Sequence, residues 1–113
     1  MNRDVNLFID DILQNIKDIG SFSKGLTKDK FQNNKLKQNA IIRSLEIIGE
    51  AVKNIPDSFR DKHPDIPWRK IAGFRDILSH AYFGVSIDRV WNIIEKDLPD
   101  LKEKISRINI SEG

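Results

Sequence analysis

The chain has 113 residues, no cysteine, two histidines and a formal net charge of +2. This length suits one domain, residues 1–113, and the lack of cysteine excludes disulfides and thiolate metal sites. No apolar run approaches the roughly 20 residues of a membrane span, and residues 1–4 do not open a signal peptide. We therefore expect a cytoplasmic protein with no membrane partner, no metal site and no cofactor, whose mild charge permits an anionic partner.

Apolar residues recur every three or four positions in the first half of the chain, which predicts amphipathic helices. The first helix is predicted from about Arg3 to Ile19, with Gly20 just past its end and a loop reaching Leu26. Thr27 is the expected N-cap of a second helix that runs to about Asn54 and is stopped by Pro56. Residues 57–60 are predicted to form a short helical turn.

The second half continues the helical pattern. Pro67 suits the first turn of a third helix, which is expected to continue through His80. Ser86 is the next expected N-cap, and Pro99 predicts a break or kink near Leu98 in the helical stripe that follows. Nothing alternates with period two, so the sequence predicts an all-α, mostly antiparallel bundle of four to five helices.

One residue of the third helix does not fit its surroundings. At about 100° per residue, Trp68, Ile71 and Leu78 share the buried arc with Arg75. A guanidinium there costs free energy unless it is paired or faces a polar cleft. His80 lies roughly 140° around the helix from Arg75. The two side chains can therefore act on one phosphate only if the helix breaks near His80 or a second copy of the chain contributes.

Arginine and histidine together suit the cleavage of RNA without a metal. In that reaction the 2′-OH attacks its own phosphate, a base accepts the hydroxyl proton and an acid protonates the leaving 5′ oxygen. Histidine, with an unperturbed pKa of about 6.5, serves as acid or base, and arginine clamps the phosphate. A symmetric dimer would bring two copies of His80 and Arg75 to one cleft. Tyr82 could hydrogen-bond the phosphate or stack on a base, and Ser79 is a polar neighbour.

Each of these residues also has a purely structural interpretation. Arg75 could pair with a carboxylate in the core, His80 could cap or pack a helix end, and Tyr82 could be a half-buried core residue. Two further candidates for a supporting role, Asp76 and Glu50, are also typical of solvated or ion-paired surface positions. His63 is interpreted as an incidental loop residue. The lysines between residues 24 and 37 are most simply solvated charge, with an RNA-binding edge as the alternative.

Three stretches, taken in order, resemble one known family. Residues 40–51 (AIIRSLEIIGEA) resemble the second-helix signature of the HepT-like proteins of the HEPN superfamily. Residues 64–82 (PDIPWRKIAGFRDILSHAY) resemble their Pro-x-Ile-Pro-Trp block followed by Arg-x4-His-x-Tyr. The start of the fourth helix, from Val90-Trp91 to Leu98-Pro99, is similar too. The resemblance spans nearly the whole chain.

The resemblance implies a helical, homodimeric ribonuclease that acts as the toxin of a toxin–antitoxin pair. Its partner would be an MNT-type nucleotidyltransferase antitoxin, and its substrate would be RNA. It assigns catalysis to Arg75 and His80 and makes Tyr82 the residue that the partner AMPylates. The residue after the arginine is often asparagine in this family, whereas this chain has Asp76. The alternatives that remain are a non-catalytic nucleotide-binding or accessory subunit of a small nucleotidyltransferase, and a plain helical scaffold.

Overall fold

Two long helices, α1 (Asn2–Ser23) and α3 (Lys35–Lys53), pack against each other at the centre of the computed structural model. The structure describes residues 2–74 and 87–112, and the side chains within 5–74 and 87–108. In these ranges every regular element is helical, so the predicted all-α bundle is confirmed. The last helix, α7 (Leu98–Glu112), packs on α1, and α5 (Trp68–Ala72) packs on α3.

Shorter elements complete the bundle. They are α2 (Lys28–Gln32), α4 (Asp57–Asp61), α6 (Ile87–Asn92) and a π-helical segment, Ile93–Asp97, that leads into α7. The predicted turn after Pro56 is α4. The core is formed by the apolar faces of the helices and includes Ile9, Ile12, Ile41, Leu45, Ile48, Val52, Ile71, Val90 and Ile105. In the part of the chain that the structure describes, no helix is long and apolar enough to cross a membrane.

The first helix is one turn longer than its sequence pattern predicted. It continues through Gly20 to Ser23, so the predicted end at Ile19 and the loop from Ser21 are wrong. The turn instead uses Gly25, whose φ of +76° lies in the left-handed region that disfavours other residues. Phe22 packs against the core, and this contact accounts for the extra helical turn.

The predicted second helix is divided into α2 and α3 at Asn33-Asn34. Thr27 caps α2 as expected, accepting a hydrogen bond from the backbone N–H of Lys30 at 3.2 Å. Asn34 caps α3 by accepting from the N–H of Lys37 at 3.0 Å. Asparagine side chains compete with the helical backbone in this way, and that competition breaks the helix. Gln38 Nε2 donates to the carbonyls of Phe31 and Gln32 at the end of α2, and the Phe31 carbonyl also accepts from the backbone N–H of Asn34.

Helix α5 also ends earlier than predicted. Pro67 precedes its first residue as expected, but the helix stops at Ala72, where Gly73 forms the C-cap. A Cβ at Gly73 would lie 3.3 Å from the carbonyl oxygen of Lys70, so this tight end favours glycine. The predicted continuation to His80 lies outside the described residues beyond Phe74.

Pro99 is accommodated by a local change of helical register. The N–H of Leu98 bonds to the carbonyl of Ile93, five residues back, and π-helical geometry covers residues 93–97. Proline lacks an N–H and its ring clashes with the carbonyl four residues earlier, so a wider turn before it relieves the strain. The predicted disturbance near Leu98 is therefore present. Ile93, in the wider turn, is buried in the core.

Candidate functional site

Most of the predicted site lies in a segment that the structure does not describe. Residues 75–86 fall outside the described ranges, and with them Arg75, Asp76, Ser79, His80 and Tyr82. The roles assigned to these residues stay predictions. The structure does describe how the two ends of this segment are held, at Phe74 before it and at Ile87 after it. It also describes Glu50.

Trp68 anchors the helix that leads into the segment. Its indole Nε1 donates to the carbonyl oxygens of His63 at 3.0 Å and Arg60 at 3.2 Å. The ring of Phe59 meets the Trp68 ring edge-on at 6.5 Å and lies 4.8 Å from the imidazole of His63. A buried indole N–H needs a partner, and two carbonyls supply it here. These contacts hold the start of α5 against α4 and against the loop that follows α4.

Arg60 connects the same group of residues to α3. Its Nη2 donates to the carbonyl of Val52 at 2.6 Å and its Nε donates to the carbonyl of Ile55 at 3.1 Å. These carbonyls belong to the end of α3 and to the residue just before Pro56. At these positions the helix no longer supplies a backbone N–H four residues further on. The charge also suits the negative end of the α3 dipole. The end of α3, α4 and the start of α5 thus form one connected unit, which sets where Phe74 enters the core.

A salt bridge ties α5 to the opposite half of the bundle. Lys70 Nζ lies 2.9 Å from Asp97 Oδ1, in the π segment. The Asp97 side chain is 19% exposed and that of Lys70 is 60% exposed, so only the carboxylate side of this pair is shielded from water. The bridge fixes the end of α5, immediately before the motif, relative to the helices that follow it.

The far end of the segment is held by α2. Asp88, in the first turn of α6, accepts a hydrogen bond from Gln32 Nε2 at 2.8 Å and lies 3.4 Å from Lys28 Nζ. Beneath this polar contact the rings of Phe31 and Trp91 meet at 5.3 Å. Phe31 is fully buried. Both ends of segment 75–86 are therefore attached to the bundle by packing and by hydrogen bonds.

Glu50 is the one predicted site residue within the described part. It is exposed on α3 and lines a cleft of ≈ 350 Å³ between α1 and α3. Phe8 and Asp11 form the α1 side of this cleft. On the α3 side, Arg43 lies 3.8 Å from Glu46. Within the described residues, no group of three or more histidine, aspartate or glutamate side chains could hold a metal ion.

Sequence reasoning missed the cluster around Trp68. The imidazole of His63, a residue interpreted as incidental, lies tilted against the ring of Phe59, and the His63 carbonyl accepts the indole N–H. Arg60 was given no role, although its side chain caps the end of α3. The sequence did contain two general signals. A buried tryptophan needs a hydrogen-bond acceptor, and a helix stopped by Pro56 leaves backbone carbonyls without helical donors. The particular partners required the fold.

The described residues form a helical bundle, and the sequence between Phe74 and Ile87 carries the Arg-x4-His-x-Tyr motif; this is the layout of a small all-α domain. The chain matches the family model described as Ribonuclease HepT-like over residues 12–108, a range that contains the whole motif. It therefore belongs to the HepT-like ribonuclease family, as its sequence pattern predicted.

Several relatives agree with this membership. The chain is 46% identical over 112 residues to "Putative RNase MJ0127" of Methanocaldococcus jannaschii, covering 98% of this chain and 93% of that protein. It is 44% identical over 108 residues to "Probable ribonuclease HepT" of Thermococcus cleftensis, covering 96% and 98%. A third relative, "Gamma-glutamylcyclotransferase and putative RNase MJ0434" of M. jannaschii, is 45% identical over 108 residues; these are 96% of this chain but 49% of that longer protein. No solved structure matches the chain significantly.

Proposed function

We propose that this chain is a metal-independent endoribonuclease, a single domain that acts as the toxin of a toxin–antitoxin pair and uses Arg75 and His80 at a dimer cleft. The observation that carries the proposal is the family match over residues 12–108, which includes the Arg-x4-His-x-Tyr motif. The anchoring of Phe74 and Ile87 supports it, because a catalytic segment needs a rigid base at both ends.

The chemistry follows from the two side chains. One His80 accepts the proton of the 2′-OH as its oxygen attacks the adjacent phosphorus. The bond from phosphorus to the 5′ oxygen breaks, and the second His80 of the dimer donates a proton to that oxygen. The products are a 2′,3′-cyclic phosphate and a 5′-hydroxyl end. Arg75 neutralises the charge that builds on the phosphorane oxygens. Asp76, Ser79 and Glu50 are candidates for orienting Arg75 or the phosphate.

The test is incubation of the purified chain with single-stranded RNA in excess EDTA. We expect cleavage to persist, and to leave cyclic phosphate ends that alkaline or enzymatic opening can detect. RNA carrying 2′-O-methyl groups is the matched control and should remain intact because it lacks the attacking hydroxyl. Tight nucleotide binding without any cleavage would instead favour the accessory subunit of a nucleotidyltransferase.

We further propose that a nucleotidyltransferase antitoxin silences the enzyme by transferring AMP from ATP to the hydroxyl of Tyr82, with release of pyrophosphate. The modification would add bulk and negative charge two residues from His80 in the chain, and so would obstruct the cleft and repel RNA phosphate.

Tyr82 is the sole tyrosine of the chain, which makes this proposal directly testable. Incubated with an MNT-type nucleotidyltransferase and with Mg-ATP, the wild-type chain should gain the mass of AMP and lose RNA cleavage. Tyr82→Phe should gain no mass, because the acceptor oxygen is absent. Mass gain by Tyr82→Phe would place the modification on another residue.

A further inference from the structure

Positive charge is concentrated in one short stretch of the chain. Residues 24–37 contain five lysines and one aspartate, a net charge of +4, whereas the whole chain carries +2. The rest of the chain is therefore net negative. Four of these lysines, at positions 24, 28, 30 and 35, are exposed, and Lys37 is half-buried. We call these five side chains the basic corner, since they lie on either side of the α2–α3 break.

The basic corner is built on a rigid base. Gln38 Nε2 donates to the carbonyls of Phe31 at 2.9 Å and Gln32 at 3.0 Å, closing the break from the α3 side. Asn34 caps α3, and Phe31 is fully buried against Trp91. Charges carried on a fixed backbone lose less conformational entropy on binding than charges on a mobile loop.

Helix stability does not explain the charges at the start of α3. Lys35 and Lys37 lie in the first turn of α3, which contains no acidic residue. Positive charge at a helix N-terminus opposes the helix dipole, so both lysines disfavour the helix that carries them. Only Lys28 of the five has a carboxylate partner within the described residues, namely Asp88. A cluster in which like charges outnumber their counter-charges attracts anions.

The corner lies beside one end of the proposed catalytic segment. Gln32 and Lys28 both contact Asp88, which follows segment 75–86 by two residues. Ile87 is seven positions after His80, and seven extended residues reach at most about 25 Å. An RNA strand held at the corner can therefore lie within reach of the motif.

From these observations we infer that the basic corner is a second RNA-contacting surface, which holds the phosphate backbone of single-stranded RNA on one side of the cleavage point. The inference rests on the proposed ribonuclease function. The corner would supply affinity and orientation through charge, without reading base sequence, and without taking part in the bond-breaking steps.

The experiment measures binding of the full-length wild-type chain and two double variants to a fluorescent 2′-O-methyl RNA, which cannot be cleaved by the proposed chemistry. Lys35→Gln with Lys37→Gln removes two charges of the corner. Lys53→Gln with Lys62→Gln is the matched control; both of these lysines are exposed, and Lys53 lies about 27 Å from Lys35 along α3. Each phosphate contact contributes about 0.7 to the slope of log K against log salt for single strands.

The corner variant should bind about 25-fold more weakly than wild type at 0.1 M salt, with a salt slope lower by about 1.4. Its melting temperature should equal or exceed that of wild type, because two charges that oppose the α3 dipole are gone. The control variant should retain its affinity and salt slope.

Equal affinity of the corner variant and wild type would overturn the inference while leaving the nuclease proposal intact. If that variant instead loses only its complex with the nucleotidyltransferase, the corner is a protein-binding surface and the inference is wrong. Failure of the wild-type chain both to bind and to cleave RNA would overturn the two proposals together. An equal loss of affinity in the control variant would show a dependence on total charge and would also contradict the inference.

Discussion

Replacing His80 by alanine is expected to slow RNA cleavage by about 10²- to 10⁴-fold, because the reaction loses the group that accepts and donates protons. Arg75→Ala should slow it by about 10²- to 10³-fold, since charge on the phosphorane is no longer neutralised. Arg75→Lys should rescue little, because an ammonium does not reproduce the bidentate geometry of a guanidinium. The measurement is the initial rate on labelled single-stranded RNA in EDTA, with circular dichroism to confirm helical content.

A matched control for the arginine substitution is available in the chain. Arg89 is exposed on α6, close in sequence to the motif, and has no ion pair within the described residues. Arg89→Ala should therefore cleave RNA nearly as fast as wild type. Full activity of folded His80→Ala would refute the catalytic assignment, and an equal loss in Arg89→Ala would point to general electrostatic attraction in place of a specific phosphate clamp.

Replacing Trp68 by alanine is expected to lower the free energy of unfolding by about 3–5 kcal/mol. The indole is 7% exposed, packs on Phe59 and donates to two carbonyls, so its removal leaves a cavity where α3, α4 and α5 meet. Urea denaturation followed by far-UV circular dichroism measures the change. A loss below about 1 kcal/mol would show that this unit does not hold α5 in place.

Replacing tryptophan by phenylalanine removes the indole N–H and keeps an aromatic ring. It therefore separates the contribution of the indole hydrogen bonds to stability from that of packing. Trp68→Phe should cost about 1 kcal/mol more than Trp91→Phe. The Trp91 ring is also buried, but its N–H has no hydrogen bond within the described residues. We expect only this small difference in unfolding free energy between the two variants, because loss of the indole does not leave its acceptors unpaired. The Arg60 and His63 carbonyls also accept from the backbone N–H groups of His63 and Ile66, respectively. Equal costs in the two variants would mean that the indole hydrogen bonds contribute nothing.

Local pattern was enough to predict much of the fold. Apolar spacing identified the buried faces of α1, α3 and α7, because side chains three and four apart share a side of any helix. Thr27, Pro56 and Pro67 marked helix ends correctly, because their effects depend only on neighbouring backbone groups. The sequence also drew attention to the motif, because a charged residue, Arg75, on a predicted apolar stripe can be recognised without coordinates.

Errors arose where two local preferences competed and packing decided the outcome. Lys28–Lys53 reads as one helix, yet burial of Phe31 against Trp91 favours the break that Asn33 and Asn34 permit. The pattern also anticipated a disturbance at Pro99, but whether it would be a kink or a π turn depended on how Ile93 could enter the core. Such choices depend on contacts between residues far apart in sequence.

The sequence by itself determined the helical class and the family, because periodicity, caps and a motif are properties of neighbouring residues. It also supplied the residues that the proposed chemistry uses, and their roles stay predictions. Only the tertiary structure revealed the partners that hold the motif's flanks: Trp68 on the carbonyls before it, Lys70 on Asp97, and Asp88 on α2. These contacts join residues between 5 and 56 positions apart. The longer of them form only after the helices pack, and helical periodicity carries no information about which side chains will then meet.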